Sequence, residues 1–177
     1  MNQPIEILIV EDSPTQALQL QRILEKHNYQ VSVANNGKEA IAYMSEHKPT
    51  MVISDIIMPD MDGYELCRQM KEDENLEEIP IILLTKLSDR EDMIKGLGLG
   101  ADNFITKPYR ESVLISRVQF LLENFEMKKK EDKEKQKVKK TEVKFLTRVK
   151  IKFLTAPSKM TNRIMLWWFR SLMKGDD

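Results

Sequence analysis

The segment that decides the fold of this chain reads Met51-Val-Ile-Ser-Asp-Ile-Ile-Met-Pro-Asp-Met-Asp-Gly63. Its apolar residues are interrupted by one acid, Asp55, and are followed by Pro59 and a polar turn. An apolar run bounded by turn residues is typical of a strand buried on both faces, as in a parallel sheet. Asp55 would then lie at the carboxyl end of that strand, where open α/β sheets bind ligands. A lone acid there is better explained as a turn cap, so the other strand ends decide its role.

The length and composition indicate one domain of ordinary size with an extension. The chain has 177 residues, of which 41% are hydrophobic, enough for a core. Its one cysteine, Cys67, excludes an internal disulfide and a Cys-rich metal site, and fits a reducing compartment, so a cytoplasmic location is expected. Met1 to Pro4 leads straight into an apolar strand, so no signal peptide is expected. No apolar run approaches the roughly 20 residues that span a bilayer.

The net charge of zero hides two halves of opposite sign. Residues 1–125 carry 12 Lys and Arg against 21 Asp and Glu, a net charge of −9. Residues 126–177 carry 16 and 7, a net charge of +9. An acidic front and a basic back indicate segments with different partners, or segments that attract each other.

Short apolar runs alternate with segments of helical spacing along the first 125 residues. The helical segments begin at typical capping residues, such as Ser13-Pro14, Asp62 with Glu65, and Ser88 with Glu91. The predicted strands are Ile5 to Val10, Gln30 to Ala34, Met51 to Ser54, Pro80 to Leu84 and Asp102 to Thr106. Five successive βα units predict an α/β fold, with a doubly wound parallel sheet, helices on both faces and right-handed crossovers.

Polar side chains follow the strands at the edge where their carboxyl ends meet. The first strand is followed by Glu11 and Asp12, the third by Asp55, the fourth by Thr85 and the fifth by Lys107. One polar residue after a strand is ordinary, but three carboxylates, a hydroxyl and a lysine at one edge indicate a site.

The residue types at this edge indicate a particular chemistry. Three neighbouring carboxylates raise each other's pKa unless a cation lies among them, and Mg²⁺ commonly binds carboxylates together with a phosphate. A lysine pairs with phosphate as a point charge. The set therefore fits Mg²⁺-assisted phosphoryl transfer to a carboxylate nucleophile.

The sequence resembles the receiver domain of two-component response regulators over residues 4–125. The resemblance is carried by Glu11-Asp12, by Asp55 with Met58-Pro59-Asp60-Met61-Asp62-Gly63, by Leu84-Thr85 and by Lys107-Pro108. It implies a flavodoxin-like five-stranded parallel sheet of strand order 2-1-3-4-5. It also implies a signalling module that takes a phosphoryl group from a histidine kinase or phosphotransfer protein, and not an enzyme beyond its own phosphorylation and dephosphorylation.

The resemblance also implies a role for each matching residue. Asp55 would be the phosphoacceptor, and Asp12, Glu11, Asp55 and the backbone carbonyl of Ile57 would hold Mg²⁺. Thr85 and Lys107 would contact the phosphoryl oxygens, and the bond before Pro108 would be cis. Thr85 would move toward the phosphate, and the aromatic side chain of Phe104 would then turn inward. This changes the face of the fourth helix, fifth strand and fifth helix, through which a homodimer is one expected assembly.

Two features depart from the family pattern. Lys86 stands after the threonine, where the family usually has a small residue, and it adds positive charge beside the phosphate or obstructs access to it. Ile57 and Leu87, two residues after Asp55 and Thr85, are apolar and cannot position a water. We therefore expect a long-lived phosphoryl-aspartate.

The basic half of the chain divides into two predicted segments, a charged linker of residues 126–142 and a basic extension of residues 143–177 that contains a strand or hairpin and then an apolar helix. Residues 126–142, mostly Lys and Glu, are expected to form a charged helical linker that prolongs the fifth helix or frays, and they show no sustained heptads. From Val143 to Leu154, five of six odd positions are apolar and four of six even ones are basic, which predicts a strand or hairpin. An apolar helix is predicted from Lys159 to Met173.

The apolar helix predicted at the end of the chain is expected to bind a partner, and the sequence does not identify that partner. It could pack on the receiver, a second copy, a downstream protein or an anionic membrane surface, of which packing on protein is favoured. Specific DNA binding is not expected, because a 52-residue tail is too short for a winged helix. The alternative to a phosphoacceptor is a degenerate receiver that acts as a scaffold through this extension. An aspartyl-phosphate hydrolase is disfavoured, because Ile56-Ile57 follows Asp55 where that class has a second acid.

Overall fold

The apolar runs of the sequence form the five strands of one parallel sheet in the computed structural model, which describes residues 4–86 and 98–154. The strand order is β2-β1-β3-β4-β5, which confirms the predicted fold class. The strands are β1 (Glu6–Val10), β2 (Gln30–Ala34), β3 (Met51–Asp55), β4 (Ile81–Thr85) and β5 (Asn103–Thr106).

Four helices are described. They are α1 (Pro14–Lys26), α2 (Gly37–Glu46), α3 (Gly63–Glu72) and a 44-residue helix, Glu111–Leu154, called the long helix below. Asp62 caps α3 by accepting a hydrogen bond from the Glu65 backbone N–H at 2.7 Å, as its spacing predicts. Ser13 stands at the N-cap of α1, but its side chain makes no capping hydrogen bond. The helix predicted from Ser88 lies outside the described residues.

Alternate residues of the central strands pack into two separate layers. Ile7, Ile9 and Ile53 lie on the face covered by α1 and the long helix, and we call this layer the α1-side cluster. Leu8, Val10 and Val52 face α2 and α3, in the α2/α3-side cluster. The residues that complete the α1-side cluster include Leu20 and Leu24 of α1 and Leu114, Ile115, Val118 and Leu122 of the long helix. Strands buried on both faces explain the unbroken apolar runs.

The strand pairing aligns the carboxyl ends of all five strands at one edge. Val10 pairs with Ala34 and with Ser54, Asp55 pairs with Leu84, and Thr85 pairs with Thr106. Residues that follow these positions therefore come to the same edge of the sheet.

The extension is helical where a strand was expected. The chain divides into two compact units, residues 1–128 and 129–177. The sequence predicts the boundary after residue 125. The long helix includes residues 126–142, the predicted charged linker, and continues through Val143 to Leu154. The predicted strand or hairpin from 143 to 154 is therefore wrong. Lys, Leu and Arg are strong helix formers, and extending an existing helix avoids the cost of nucleation.

The apolar helix predicted from Lys159 to Met173 lies outside the described residues. Within the described part of the chain, no helix combines the length and hydropathy needed to cross a bilayer.

Candidate functional site

The sheet edge collects the acids that the sequence singles out. Asp55 is the last residue of β3, and Glu11 and Asp12 follow β1 directly. One carboxylate oxygen from each of the three lies within 4.8 Å of the others. Glu11 and Asp55 are buried, whereas Asp12 is exposed. The group therefore has one solvent-facing acid and two that are shielded from water.

Asp55 is held by the backbone that follows it. Its Oδ1 accepts hydrogen bonds from the N–H groups of Ile56, at 2.7 Å, and Ile57, at 3.4 Å. Its Oδ2 lies 2.7 Å from Nζ of Lys107, and the Asp55 side chain is 7% exposed. Hydrogen bonds to both oxygens fix the orientation of the carboxylate.

Lys107 joins the two buried acids. Its Nζ donates to Asp55 Oδ2, to Glu11 Oε2 at 2.8 Å and to Gln16 Oε1 at 2.9 Å. Burial disfavours the charged ammonium, but the hydrogen bonds and charges of Asp55 and Glu11 outweigh burial and raise the pKa of Lys107 above its ordinary value. Lys107 is therefore a fixed cation between two buried carboxylates.

The other predicted site residues lie at or next to the same edge. Thr85 ends β4 with 2% exposure, and its carbonyl accepts a hydrogen bond from the Lys107 N–H at 2.6 Å. Ile57 is 59% exposed. Phe104 is half-buried against the α2/α3-side cluster, three residues before Lys107. The Lys107–Pro108 peptide bond is cis, as the resemblance implies.

Gly63 lets the loop after β3 close onto the site. A Cβ at Gly63 would clash with the carbonyl oxygen of Asp55 and would lie 2.9 Å from Cα of Ile56. The Gly63 N–H donates to the Ile56 carbonyl at 2.9 Å. Within the same loop, Asp60 adopts the left-handed conformation, with φ of 64°. Backbone contact with Asp55 therefore requires the smallest residue at the start of α3.

A cavity of about 410 Å³ opens beside Lys107. It is lined by Gln16, Gln19, Lys86, Lys107, Pro108 and Tyr109. Burial raises the pKa of the Tyr109 phenol, which stays neutral at physiological pH. Of these lining residues, Lys107 is the one that is hydrogen-bonded to the buried acids Glu11 and Asp55.

Gln16 is the site residue that strand ends could not reveal, because it belongs to the first turn of α1. Asp12 precedes Ser13, the N-cap of that helix, so no local helical spacing marks Gln16 as a site residue. In chemical terms, the assembled edge offers a buried carboxylate nucleophile, a fixed cation and a cluster of oxygen ligands of the kind that Mg²⁺ prefers.

Comparison with known proteins gives one consistent result. The family model for the response regulator receiver domain matches residues 7–119. The chain is 38% identical over 116 residues to Protein PilH of Pseudomonas aeruginosa, a match that covers 66% of this chain and 96% of PilH.

Two solved structures share the fold. One is the signal receiver domain of a histidine kinase from Syntrophus aciditrophicus, with 53% identity, a TM-score of 0.64, and coverage of 67% of this chain and 90% of that one. The other is the receiver domain of sensor histidine kinase PA1611 from Pseudomonas aeruginosa, described with a magnesium ion coordinated in its active-site cleft. It is 27% identical with a TM-score of 0.63, and the match covers 68% of this chain and 98% of that one.

Proposed function

Because the chain belongs to the response regulator receiver domain family, we propose that Asp55 accepts a phosphoryl group from a histidine kinase or phosphotransfer protein. The observation that carries this proposal is the arrangement around Asp55. A carboxylate of 7% exposure is bonded by two backbone N–H groups and by Lys107, and two further acids lie beside it. A buried acid used only as a turn cap would not need the lysine or the neighbouring acids.

The proposed reaction needs a divalent cation, and the residues present fit Mg²⁺. Glu11, Asp12 and Asp55 supply carboxylate oxygens within 4.8 Å of one another, and the Ile57 carbonyl would complete the protein ligands. Hard oxygen ligands with solvent access through an exposed Asp12 suit an ion that keeps several waters. Bound there, Mg²⁺ would offset charge on the phosphoryl oxygens.

The transfer step uses residues of this chain in separate roles. An Asp55 carboxylate oxygen forms a bond to phosphorus while the bond from phosphorus to the kinase histidine nitrogen breaks. Lys107 and the Thr85 hydroxyl donate hydrogen bonds to the phosphoryl oxygens, and the charge of Lys107 offsets theirs. Later attack by water on phosphorus releases phosphate and restores Asp55. The chain thus acts as a signalling module that catalyses only its own phosphorylation and dephosphorylation.

Phosphorylation would change an interaction surface. New phosphoryl oxygens on Asp55 attract the Thr85 hydroxyl, and the space it leaves allows Phe104, a half-buried residue of β5, to turn inward. The long helix begins next to β5 and exposes Val113 and Phe120, at 45% and 54%, which suits a face that binds a second copy or a downstream protein. We expect these events in the cytoplasm, where histidine kinases present their phosphohistidine.

Exposure to acetyl phosphate with Mg²⁺, followed by intact mass measurement, tests the proposed function. We expect one phosphate adduct in the native chain, none in Asp55→Asn, and none when EDTA removes the metal. Asp60→Asn is a matched control, because it changes a nearby exposed acid outside the three-acid group. An unmodified native chain, or an adduct that survives Asp55→Asn, would favour the alternative of a degenerate receiver that acts as a scaffold through its basic extension.

A further inference from the structure

The long helix carries its positive charge unevenly around its circumference. Five of its exposed lysines recur at intervals of three or four residues, and we call them the lysine stripe: Lys130, Lys133, Lys137, Lys140 and Lys144. A turn of about 100° per residue confines this set to about 80° of the helix circumference, on a line about 21 Å long. Glu131, Asp132 and Glu134 lie outside that sector. The stretch from residue 130 to 144 therefore has one strongly basic side.

The neighbouring acids of the helix do not neutralise the lysine stripe. Glu131 and Asp132 form ion pairs with Lys135, at 3.9 and 4.0 Å, and Lys135 lies on another side of the helix. In the part of the chain that the structure describes, no stripe lysine takes part in an ion pair. Like charges three or four residues apart on a helix repel each other, so the stripe lowers the stability of the helix unless an anionic partner binds it.

The two parts of the chain respond in opposite ways to an anionic surface. Residues 1–125 carry a net charge of −9, and residues 126–177 carry a net charge of +9. A negatively charged surface therefore repels the first part and attracts the second. Charge alone thus selects the basic part, with its lysine stripe, as the region of contact.

Three features favour a lipid surface over a nucleic acid as the anionic partner. All members of the stripe are lysines, which attract diffuse negative charge but lack the planar fork with which arginine binds a phosphate or a base edge. The stripe is straight, and lipid headgroups move freely in a plane, so all five lysines can be matched at once, whereas the phosphates of a duplex wind around its axis. The sequence after residue 154 also contains Trp167 and Trp168, a residue type enriched at membrane interfaces.

We propose that the lysine stripe binds the surface of a membrane that contains anionic lipids, and that the chain is held there as a peripheral protein. The contact is electrostatic, because the five ammonium groups lie against the negative charges of the lipid headgroups. It does not depend on the phosphorylation of Asp55, which belongs to the other compact unit.

Co-sedimentation of the full chain with lipid vesicles tests the proposal. We expect binding to phosphatidylcholine vesicles that contain about 30% phosphatidylserine, no binding to phosphatidylcholine alone, and release at about 300 mM salt. Lys137→Gln together with Lys140→Gln should lower the partition coefficient about 25-fold, which is roughly fivefold for each lysine near the surface. Lys137→Arg together with Lys140→Arg should bind as the native chain does, because the charge is kept.

A matched control removes the same charge from another side of the same helix. Lys135 and Lys139 are both exposed, and each stands two residues from Lys137, about 160° around the helix. Lys135→Gln together with Lys139→Gln should lower the partition coefficient less than about threefold. An equal loss in the two double variants would refute the role of the stripe, because net charge alone would then explain the binding.

Two further results would overturn the proposal. One is an absence of binding to the anionic vesicles at low salt. The other is binding to duplex DNA that is tighter than binding to vesicles at the same salt and is lost in the Lys137 and Lys140 variant, which would assign the stripe to nucleic acid.

Two measurements keep these outcomes separate from misfolding and from the proposed function. Circular dichroism should show the same helix content in the native chain and all variants, since Lys, Gln and Arg have similar helix propensities. The phosphate adduct on Asp55 should form normally in both glutamine double variants. A chain that is phosphorylated but does not bind anionic vesicles would therefore refute the membrane contact and leave the proposed function intact.

Discussion

At the scale of single residues, Lys107 offsets the free-energy cost of burying two carboxylates. Glu11 and Asp55 are buried, and Lys107 is hydrogen-bonded to both. Lys107→Met should lower the free energy of unfolding by about 1–3 kcal/mol, because it leaves two buried carboxylates that repel each other. Urea unfolding measures this, with Lys48→Met as the control. Mg²⁺ should restore part of the lost unfolding free energy. An unchanged urea midpoint of Lys107→Met without Mg²⁺ would contradict the role of Lys107 in offsetting the two buried carboxylates.

Ile57 should govern how long the phosphoryl group survives. Its side chain is 59% exposed two residues after Asp55 and, being apolar, cannot orient a water toward phosphorus. We expect the phosphorylated native chain to decay over minutes or longer in Mg²⁺, and Ile57→Asn to decay faster. Intact mass at successive times follows both proteins. Equal or faster decay of the native chain would show that this side chain does not limit hydrolysis.

Cys67 provides a prediction about pH. It is fully buried in the α2/α3-side cluster, and burial raises the pKa of its thiol to about 11 from 9.0. The folded thiol therefore stays protonated where the unfolded thiol ionises. Stability from this source is intact below about pH 9 and falls as pH rises toward 11. Urea midpoints across that window should fall less in Cys67→Ala, and a native thiol that reacts freely with an alkylating reagent at pH 8 would refute its burial.

At the scale of elements, the start of α3 depends on one missing side chain. Gly63→Ala places a Cβ against the Asp55 carbonyl oxygen and Ile56 Cα, backbone atoms that cannot rotate away. We expect a loss of at least about 2 kcal/mol in unfolding free energy, together with slower phosphorylation because Asp55 shifts. Gly98→Ala is the matched control, since its Cβ would meet nothing within 4 Å. Similar stability of the two variants would mean that the close approach is not rigid.

The elements also show which parts of the structure local sequence determines. The strands were predictable because a strand buried on both faces has an unbroken apolar run, as β3 and β4 do. Residues 143–154 were not, because alternation of apolar and basic residues describes a strand only when another strand is available to pair with it. Inside a helix that already extends from Glu111, the same residues continue the helix.

The candidate site was predictable to the extent that the sheet edge defines it. Glu11, Asp12, Asp55, Thr85 and Lys107 each follow an apolar run, so parallel pairing alone brings them to one edge. The contact of Gln16 with Lys107 depends on how α1 packs on the sheet, and the need for glycine at 63 depends on a backbone approach of less than 3 Å. Both features depend on tertiary packing, and no local sequence pattern reveals them.

At the scale of the whole molecule, the core lies in the first unit. Among the described residues, buried hydrophobic side chains end at Leu122, and the first compact unit ends at residue 128. A fragment of residues 1–128 should therefore fold, with an unfolding free energy within about 0.5 kcal/mol of the full chain. Urea unfolding compares the two, and a fragment ending at residue 112, which lacks Leu114 and Val118, should fail to fold. A markedly less stable 1–128 fragment would show that the extension supports the core.

The three contacts of Lys107 have a consequence for the order of events at the site. An ammonium has three N–H bonds, and Asp55, Glu11 and Gln16 accept all of them. An arriving phosphoryl oxygen can therefore be bound by Lys107 only in exchange for one of these acceptors. Gln16 is the neutral one and the easiest to release, since its carboxamide can turn toward water. When a phosphoryl group arrives at Asp55, the Gln16 side chain on the first turn of α1 would therefore lose its hydrogen bond to Lys107 and turn away. This displacement would occur on the opposite side of the sheet from α2 and α3.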